Sequence, residues 1–319
     1  MSFLRSLRHF AAIAFRFHPL ENSQSFLLLG PTAVGKSDLA VAIAERCDGE
    51  IVSADAFQVY AGLDILTAKP SAELRARVPH HLIGEVPLSE SWDVAQWLEA
   101  ARLRIADIHT RDHIAIVCGG TGLYIRALTR GLAEMPAASP ALRAELSALP
   151  LADLQRRLAA LDPEGTRHID LQNPRRVLRA LEVCLLTGRP FSSFRDQWNA
   201  APTGWRGIVL TRDRGELYAR IDHRTGEMFT AGVVEEVRAT GEVGPTASQT
   251  LGLREIRAHL ASEMTRAECI AAIQQATRRY AKRQLTWFRR EADFRNVNLS
   301  PITDLQALAD SIAREARGI

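Results

Sequence analysis

Lysine is nearly missing from this chain. Of its 40 basic residues only Lys36, Lys69 and Lys282 are lysines, and the rest are arginine. The three therefore mark places where a compact ammonium is wanted rather than a planar guanidinium. Long apolar runs are missing too: no stretch approaches the ~18 residues of a membrane span, so a membrane partner is not expected. Cysteine is sparse. Cys47, Cys118, Cys184 and Cys269 are scattered with no C-x-x-C pair, which argues against a zinc site and a disulfide scaffold. Each lies in an apolar context and reads as a buried free thiol in a reducing, cytoplasmic setting. Charge of one sign is also lacking. A net charge of +3 over 319 residues means that any nucleic-acid role must come from local clustering. There are no internal repeats or low-complexity segments, and 46% hydrophobic with 24% charged residues excludes wholesale disorder.

What is present has the rhythm of an α/β protein. Residues 1–24 read as a disordered N-terminal extension, with no acid and three arginines in its first twenty positions. Phe26–Leu29 is a short apolar strand that ends in Gly30, followed by a helical pattern through Arg46. Glu50–Ser53 and His81–Ile83 are further strands, with the adjacent His80 and His81 read as structural. Ile114–Cys118 is a continuous apolar run, as in a parallel sheet buried on both faces. Helical spacing over 93–109 starts at Ser91 or Asp93. From Leu151 to about Leu186 the chain is leucine- and arginine-rich helix, with Asn173-Pro174 as N-cap and first helical residue. Strand character returns at Ile208–Leu210. A long helix is expected over Thr265–Arg290 and a shorter one after Pro301. The fold class is therefore α/β: a P-loop core of parallel sheet flanked by helices, spanning 25–131 and 201–319, with a helical insertion at 132–200.

Gly30-Pro31-Thr32-Ala33-Val34-Gly35-Lys36-Ser37 matches G-x-x-x-x-G-K-[ST] in full and lies between a strand and a helix. Its backbone amides form an anion nest at a helix N-terminus, Lys36 adds a point charge, and the Ser37 hydroxyl can hold Mg²⁺. A di- or triphosphate is the expected ligand, as in nucleotide- and ATP-binding proteins. However, the strand 114–118 ends in Gly119-Gly120-Thr121, not in the acid with which an NTPase organises Mg²⁺. The one acid at a strand end is Asp55, which can serve as a metal ligand, a general base or a helix cap. Thr121 can bond an anion or cap its helix.

Residues 277–290 carry six positive charges and no acid, interleaved with Tyr280, Trp287 and Phe288. Arg278, Lys282 and Arg289 share one helical face, with Arg279, Arg283 and Arg290 beside them. Arg175, Arg176 and Arg179 form a second cluster in the insertion. Such runs are often solvated faces. Two separated clusters with aromatic residues between charges favour nucleic acid, gripped by its phosphates and by stacking on unpaired bases. Arg220 and Arg224, four apart behind Asp213 as a possible cap, can clamp a leaving phosphate or pair with Glu216 and Glu227.

In this order and spacing the motifs resemble one family, the bacterial tRNA dimethylallyltransferases (tRNA isopentenyl transferases). The likeness rests on Gly30–Ser37, Ser53–Tyr60, Thr67–Pro70, Gly119–Tyr124, Gln172–Arg176 and Lys282–Arg289, and it covers the chain from Phe26 onward. It implies Mg²⁺-dependent transfer of a dimethylallyl group from dimethylallyl diphosphate to N6 of adenosine 37, beside the anticodon of tRNA; a monomer is the default expectation. The P-loop, Gly30 through Ser37, would hold the diphosphate with Mg²⁺ at Ser37. Lys36, Thr121 and Arg220 would neutralise the leaving group, and Asp55 would accept the N6 proton. The anticodon stem-loop would be met by Asp55, Ala56, Phe57, Gln58 and Thr121, and by Arg143, Arg175, Arg176 and Arg179. Gln249, Gly252, Arg254, Lys282, Arg283, Gln284, Trp287 and Arg289 would complete that surface. The chain departs from the family pattern at Ala56 (usually Ser), Leu253 (usually Tyr) and Gly84 (usually an acid). The alternatives are an adenylate isopentenyltransferase acting on free AMP or ADP, and an RNA-binding P-loop NTPase.

Overall fold

Six short strands lie side by side in one parallel sheet: β1 (Ser25–Leu29), β2 (Gly49–Ala54), β3 (His80–His81), β4 (Ile114–Gly119), β5 (Arg206–Thr211) and β6 (Arg295–Asn298), in the order β3-β2-β4-β1-β5-β6. The register is continuous across the centre, with Phe26 opposite Ile116 and Arg206, and Ile51 opposite Ile116. The computed structural model describes residues 22–194, 204–290 and 293–319. Of the expected extension, residues 1–21 lie outside them, while Asn22–Gln24 form a short 3₁₀ turn rather than a disordered end. The chain divides into two compact units, Met1–Ile125 with Gly204–Ile319, and Arg126–Thr203.

In the first unit the helices are α1 (Lys36–Cys47), α2 (Ala72–Arg77), α3 (Val94–Thr110) and α4 (Gly122–Arg130), which crosses into the second unit. The second unit adds α5 (Pro140–Ser147), α6 (Leu151–Leu161), α7 (Pro163–Thr166) and α8 (Pro174–Thr187). The chain then returns through α9 (Arg214–Thr230), α10 (Val233–Arg238), α11 (Leu253–Leu260), α12 (Arg266–Phe288) and α13 (Leu305–Arg317). Alternate strand residues serve opposite faces. Phe26, Leu28, Ile51, Ile116 and Ile208 pack with Leu39 and Ile43 of α1 and with Ile312 and Ala316 of α13. Helix α3 covers the sheet through contacts with β2 and β4. It starts in a capping box, in which Asp93 accepts the amides of Ala95 and Gln96 and Gln96 answers to Asp93. A second, smaller core joins Leu63 and Leu66 to Phe229, Val233, Leu253, Ile256 and Ile273. Leu253, where the family pattern has tyrosine, is a buried member of it.

The structure departs from the sequence reading at three elements. β3 comprises His80 and His81, not 81–83, because Leu82 turns left-handed at φ +62° and ends the strand. β6 was not expected, since Arg-Asn-Val-Asn carries no apolar run; it is an edge strand with only Val297 buried. Asp213 does not cap α9, and its Oδ1 accepts instead from Asn298 Nδ2 (3.0 Å). The paired histidines are structural. His80 Nδ1 meets the Val78 carbonyl (2.8 Å), while buried Glu50 receives His81 (2.7 Å), His113 (2.8 Å) and Arg111. Burial raises the Glu50 carboxyl, but these partners outweigh it and leave the group below its usual range. At Gly84, the neighbouring Glu85 supplies a carboxylate to the Leu82 amide (2.6 Å).

The insertion has its own core of Leu146, Leu154, Leu158, Val177, Leu181 and Cys184. Asn173 caps α8 through the Arg176 amide, with Pro174 at its first turn. No disulfide forms among the four cysteines, and burial pushes Cys47, Cys118 and Cys269 up to about 11, so these thiols stay protonated at neutral pH.

Candidate active site

Parallel strands deliver their C-terminal ends to one edge of the sheet, where open α/β folds place their ligands. Here β1 delivers Gly30, β2 delivers Asp55, β4 delivers Gly120 and Thr121, and β5 delivers Arg212. The loop between β1 and α1 turns through Gly35 at φ +103°, a left-handed conformation that suits glycine.

Cations hold the carbonyls of this loop. Lys36 Nζ donates to Gly30 O (2.9 Å) and Pro31 O (2.7 Å). Arg220 Nε donates to Ala33 O (2.9 Å), and Arg212 Nε donates to Val34 O (2.8 Å). Arg224 Nη2 donates to Thr32 Oγ1 (2.7 Å). Arg212 also pairs with Glu216, but among the described residues Lys36, Arg220 and Arg224 make no ion pair. Their charges rest on neutral oxygens. Enclosure of its ammonium lowers Lys36 to about 8, with Cys118 and Asp55 opposing and Arg224 reinforcing the shift. Burial likewise lowers Arg224, against the pull of Asp55. The loop therefore gathers positive charge that an entering anion would stabilise.

Asp55 is held without a cation. Its Oδ1 accepts the amides of Phe57 (2.9 Å) and Gln58 (3.2 Å), closing a tight turn. The Gln58 side chain extends the brace by donating to Thr67 O (3.3 Å) and Ala68 O (3.0 Å). Thr121 Oγ1 accepts the Ala56 amide (3.1 Å), so the Asp55 turn is tied to the Gly-Gly-Thr loop. A hydroxyl that accepts from an amide still has its own proton to donate. Lys69, another of the scarce lysines, has its ammonium buried on Tyr60 O (2.5 Å) and Asp64 and acts as a structural clamp.

Gln284 is buried and faces inward, a correction to its expected place on a tRNA surface, while Trp287 is half-buried beside it. The Gln284 amide accepts from Thr32 N (2.9 Å) and donates to Gly120 O (3.0 Å), bridging the two glycine loops. Gly120 has to be glycine, since a Cβ there would stand 2.8 Å from the Gly30 carbonyl oxygen and 2.3 Å from Gln284 Nε2. The Trp287 ring lies over Gly122, where a Cβ would come within 2.3 Å of it. Arg278 leaves the expected basic stripe to pair with Asp222 of α9. Lys282, Arg283 and Arg289 remain exposed along α12. Arg254 and Gln249 are exposed, and Gly252 is buried at the start of α11 with φ +91°. In the insertion, Arg175 and Arg176 are exposed. Arg143 (3.0 Å) and Arg179 (2.6 Å) are instead held by the fully buried Glu182, a role their spacing did not reveal.

Between the loop and the smaller core is a cavity of about 60 Å³. Thr32, Asp55 and Arg224 line its polar end, and Met228, Phe229 and Leu251 line its apolar end. Sequence reasoning did not place Arg212 or the apolar wall in the site, whereas Arg224, read with Arg220 as a possible phosphate clamp, lines the cavity one helical turn beyond it. Among the described residues no three His, Cys, Asp or Glu side chains gather as a metal cage. The lone Ser37 hydroxyl suits only a hydrated Mg²⁺ that takes its other ligands from phosphate and water.

The IPP transferase family model matches residues 58–291. The tRNA dimethylallyltransferase of Akkermansia muciniphila is 44% identical over 291 residues, covering 91% of this chain and 99% of the relative. That of Geobacter metallireducens is 46% identical, covering 86% and 92%. Among solved structures, a tRNA isopentenylpyrophosphate transferase from Bacillus halodurans superposes with a TM-score of 0.67 at 34% identity, over 92% of this chain and 95% of its own. A eukaryotic dimethylallyltransferase acting on tRNA gives 0.77 at 24% identity, over 91% and 77%, a likeness of fold.

Proposed function

The chain belongs to the IPP transferase family and is a prenyltransferase, and from that premise we propose how its own residues carry the reaction. The donor is dimethylallyl diphosphate and the acceptor is N6 of adenosine 37, next to the anticodon of tRNA. The observation that carries this reading is the set of cations propped on loop oxygens beside an aspartate that no direct ion pair holds among the described residues, next to an apolar cavity. That arrangement suits a substitution whose main obstacle is charge on the leaving group.

The diphosphate enters the Gly30–Ser37 nest, where Lys36, Arg220 and Arg224 exchange neutral oxygens for phosphate oxygens. Thr121, whose hydroxyl is also within hydrogen-bond reach of Tyr280, donates to the same anion. The adenine amine attacks C1 of the allyl chain, the C1–O bond breaks, and the bonding pair leaves with diphosphate. Asp55, whose Oδ1 is fixed by two amides, takes the N6 proton on Oδ2, giving neutral N6-(dimethylallyl)adenosine. Mg²⁺, bound by Ser37 and the phosphates, would add Lewis-acid stabilisation of the leaving group. The base must leave its stack to reach Asp55. Arg175, Arg176, Lys282, Arg283 and Arg289 are exposed cations suited to the anticodon stem-loop phosphates. We place the enzyme's action in the cytoplasm, with its tRNA acceptor, and take it to act as a monomer.

The test is a transfer assay with Mg²⁺, labelled dimethylallyl diphosphate and unmodified tRNA, with AMP in parallel. Label on tRNA alone is expected. Label on AMP alone would move the enzyme to free nucleotides, and RNA-stimulated ATP hydrolysis without prenyl transfer would replace the reading with an NTPase.

A further inference from the structure

The apolar end of the cavity is built unlike its polar end. Four threonines line it, and each spends its hydroxyl proton on a carbonyl of its own segment: Thr67 on Leu63 (2.6 Å), Thr225 on Ile221 (2.8 Å), Thr250 on Ala247 (2.7 Å) and Thr277 on Ile273 (2.8 Å). These threonines therefore offer no free hydroxyl proton, and the Tyr280 phenol that also lines the cavity is within hydrogen-bond reach of Thr121. Beyond the threonines stand Phe229, Val233, Ile256 and Ile273, all buried members of the smaller core and fixed by it.

Helix α9 runs along this space as a scale. Arg220 holds the loop at Ala33, Arg224 holds it at Thr32, and Met228 follows on the same face, lining the cavity. With 1.5 Å of rise per residue, Met228 stands about 6 Å beyond Arg224 along the helix. A five-carbon allyl chain, at about 1.5 Å per bond, extends about 5 Å, and a ten-carbon chain about twice that.

We propose that this slot measures the prenyl chain and that Met228 is its end stop, restricting the donor to five carbons. The proposal rests on the reading in which the P-loop holds the diphosphate. Met228 suits this role because it lies on the face of α9 that carries Arg220 and Arg224 and is only half-buried, packed against the smaller core rather than a fully buried member of it. Its unbranched side chain fills irregular gaps, so its truncation lengthens the slot without emptying the core.

The experiment compares the full-length protein with Met228→Ala and Met228→Trp. Equilibrium binding and transfer to tRNA are measured with five- and ten-carbon allylic diphosphates, and inorganic diphosphate serves as a competitor. Met228→Ala is expected to raise the ten- to five-carbon ratio of kcat/KM by about tenfold or more. Met228→Trp is expected to raise the five-carbon Kd by a similar factor while leaving inhibition by inorganic diphosphate unchanged. An unaltered chain-length ratio in the alanine variant overturns the proposal, as does a change confined to the KM for tRNA, which would give the slot to the acceptor base. Failure of the functional reading looks different: the wild-type protein would then transfer no five-carbon group to tRNA, while the binding ratios would still judge the slot.

Discussion

Arginine does opposite jobs in the two units. In the insertion, Arg143 and Arg179 converge on Glu182, whose carboxylate is fully buried and also accepts the Ser139 amide (2.8 Å). Those charges are spent on a carboxylate, so they secure the unit and have little left for an anion. In the core, Lys36, Arg220 and Arg224 are held by carbonyls and a hydroxyl, which fix position without cancelling charge. The two buried or half-buried acids differ in the same way. Glu182 is neutralised by cations, while Asp55 is oriented by two amides and keeps an oxygen for chemistry. A binding charge is thus recognisable by what holds it: neutral partners preserve demand for an anion, and ionised partners satisfy it.

The largest expected effect is at Asp55. Asp55→Asn keeps an oxygen for the Phe57 and Gln58 amides, so the turn and diphosphate binding should persist while kcat falls by ~10²–10⁴. Loss of Mg²⁺-dependent diphosphate binding in that variant would instead make Asp55 a metal-site residue. Next is Arg224→Met, which removes a propped charge and should lower kcat/KM for the donor by ~10²–10³. If Arg143→Met lowered it equally, the contrast between the units would collapse. Glu182→Gln should cost about 3 kcal/mol in denaturant-induced unfolding, because two arginines lose the carboxylate they share, with the donor KM unchanged. The smallest effect is on pH. An ammonium lowered to about 8 is recharged when an anion binds, so donor binding takes up a proton above that pH. Donor affinity should fall as pH rises through 8, by at most ~10-fold per unit. Calorimetry in buffers of different ionisation enthalpy would show the uptake, and a flat profile would mean that Lys36 stays fully charged in the free protein.

Much of the fold was legible. The apolar runs at Phe26–Leu29 and Ile114–Cys118, the Asp93 and Asn173 caps and the P-loop lie in the structure where their patterns put them. These features are local: a strand buried on both faces must be apolar, and a cap acts within three residues. The polar edge strand Arg295–Asn298 and the two-residue β3 left no such trace, because each is set by the neighbour it pairs with. Among the site residues, Lys36, Asp55 and Thr121 were readable because loop geometry within a few residues fixes them. Gln284 was not, since its partners Thr32 and Gly120 are far away in sequence.

The sequence by itself determined the anion nest, the single acid at a strand end and the basic surface of α12, because residue type and short spacing suffice for each. Only the tertiary structure decided which charges are free. Arg176 and Arg179 lie three apart and read alike, yet one is exposed while the other is tied to Glu182 and the Pro136 carbonyl. The demand of a cation for an anion depends on the dielectric and partners around it, and those are assembled from segments that meet only on folding.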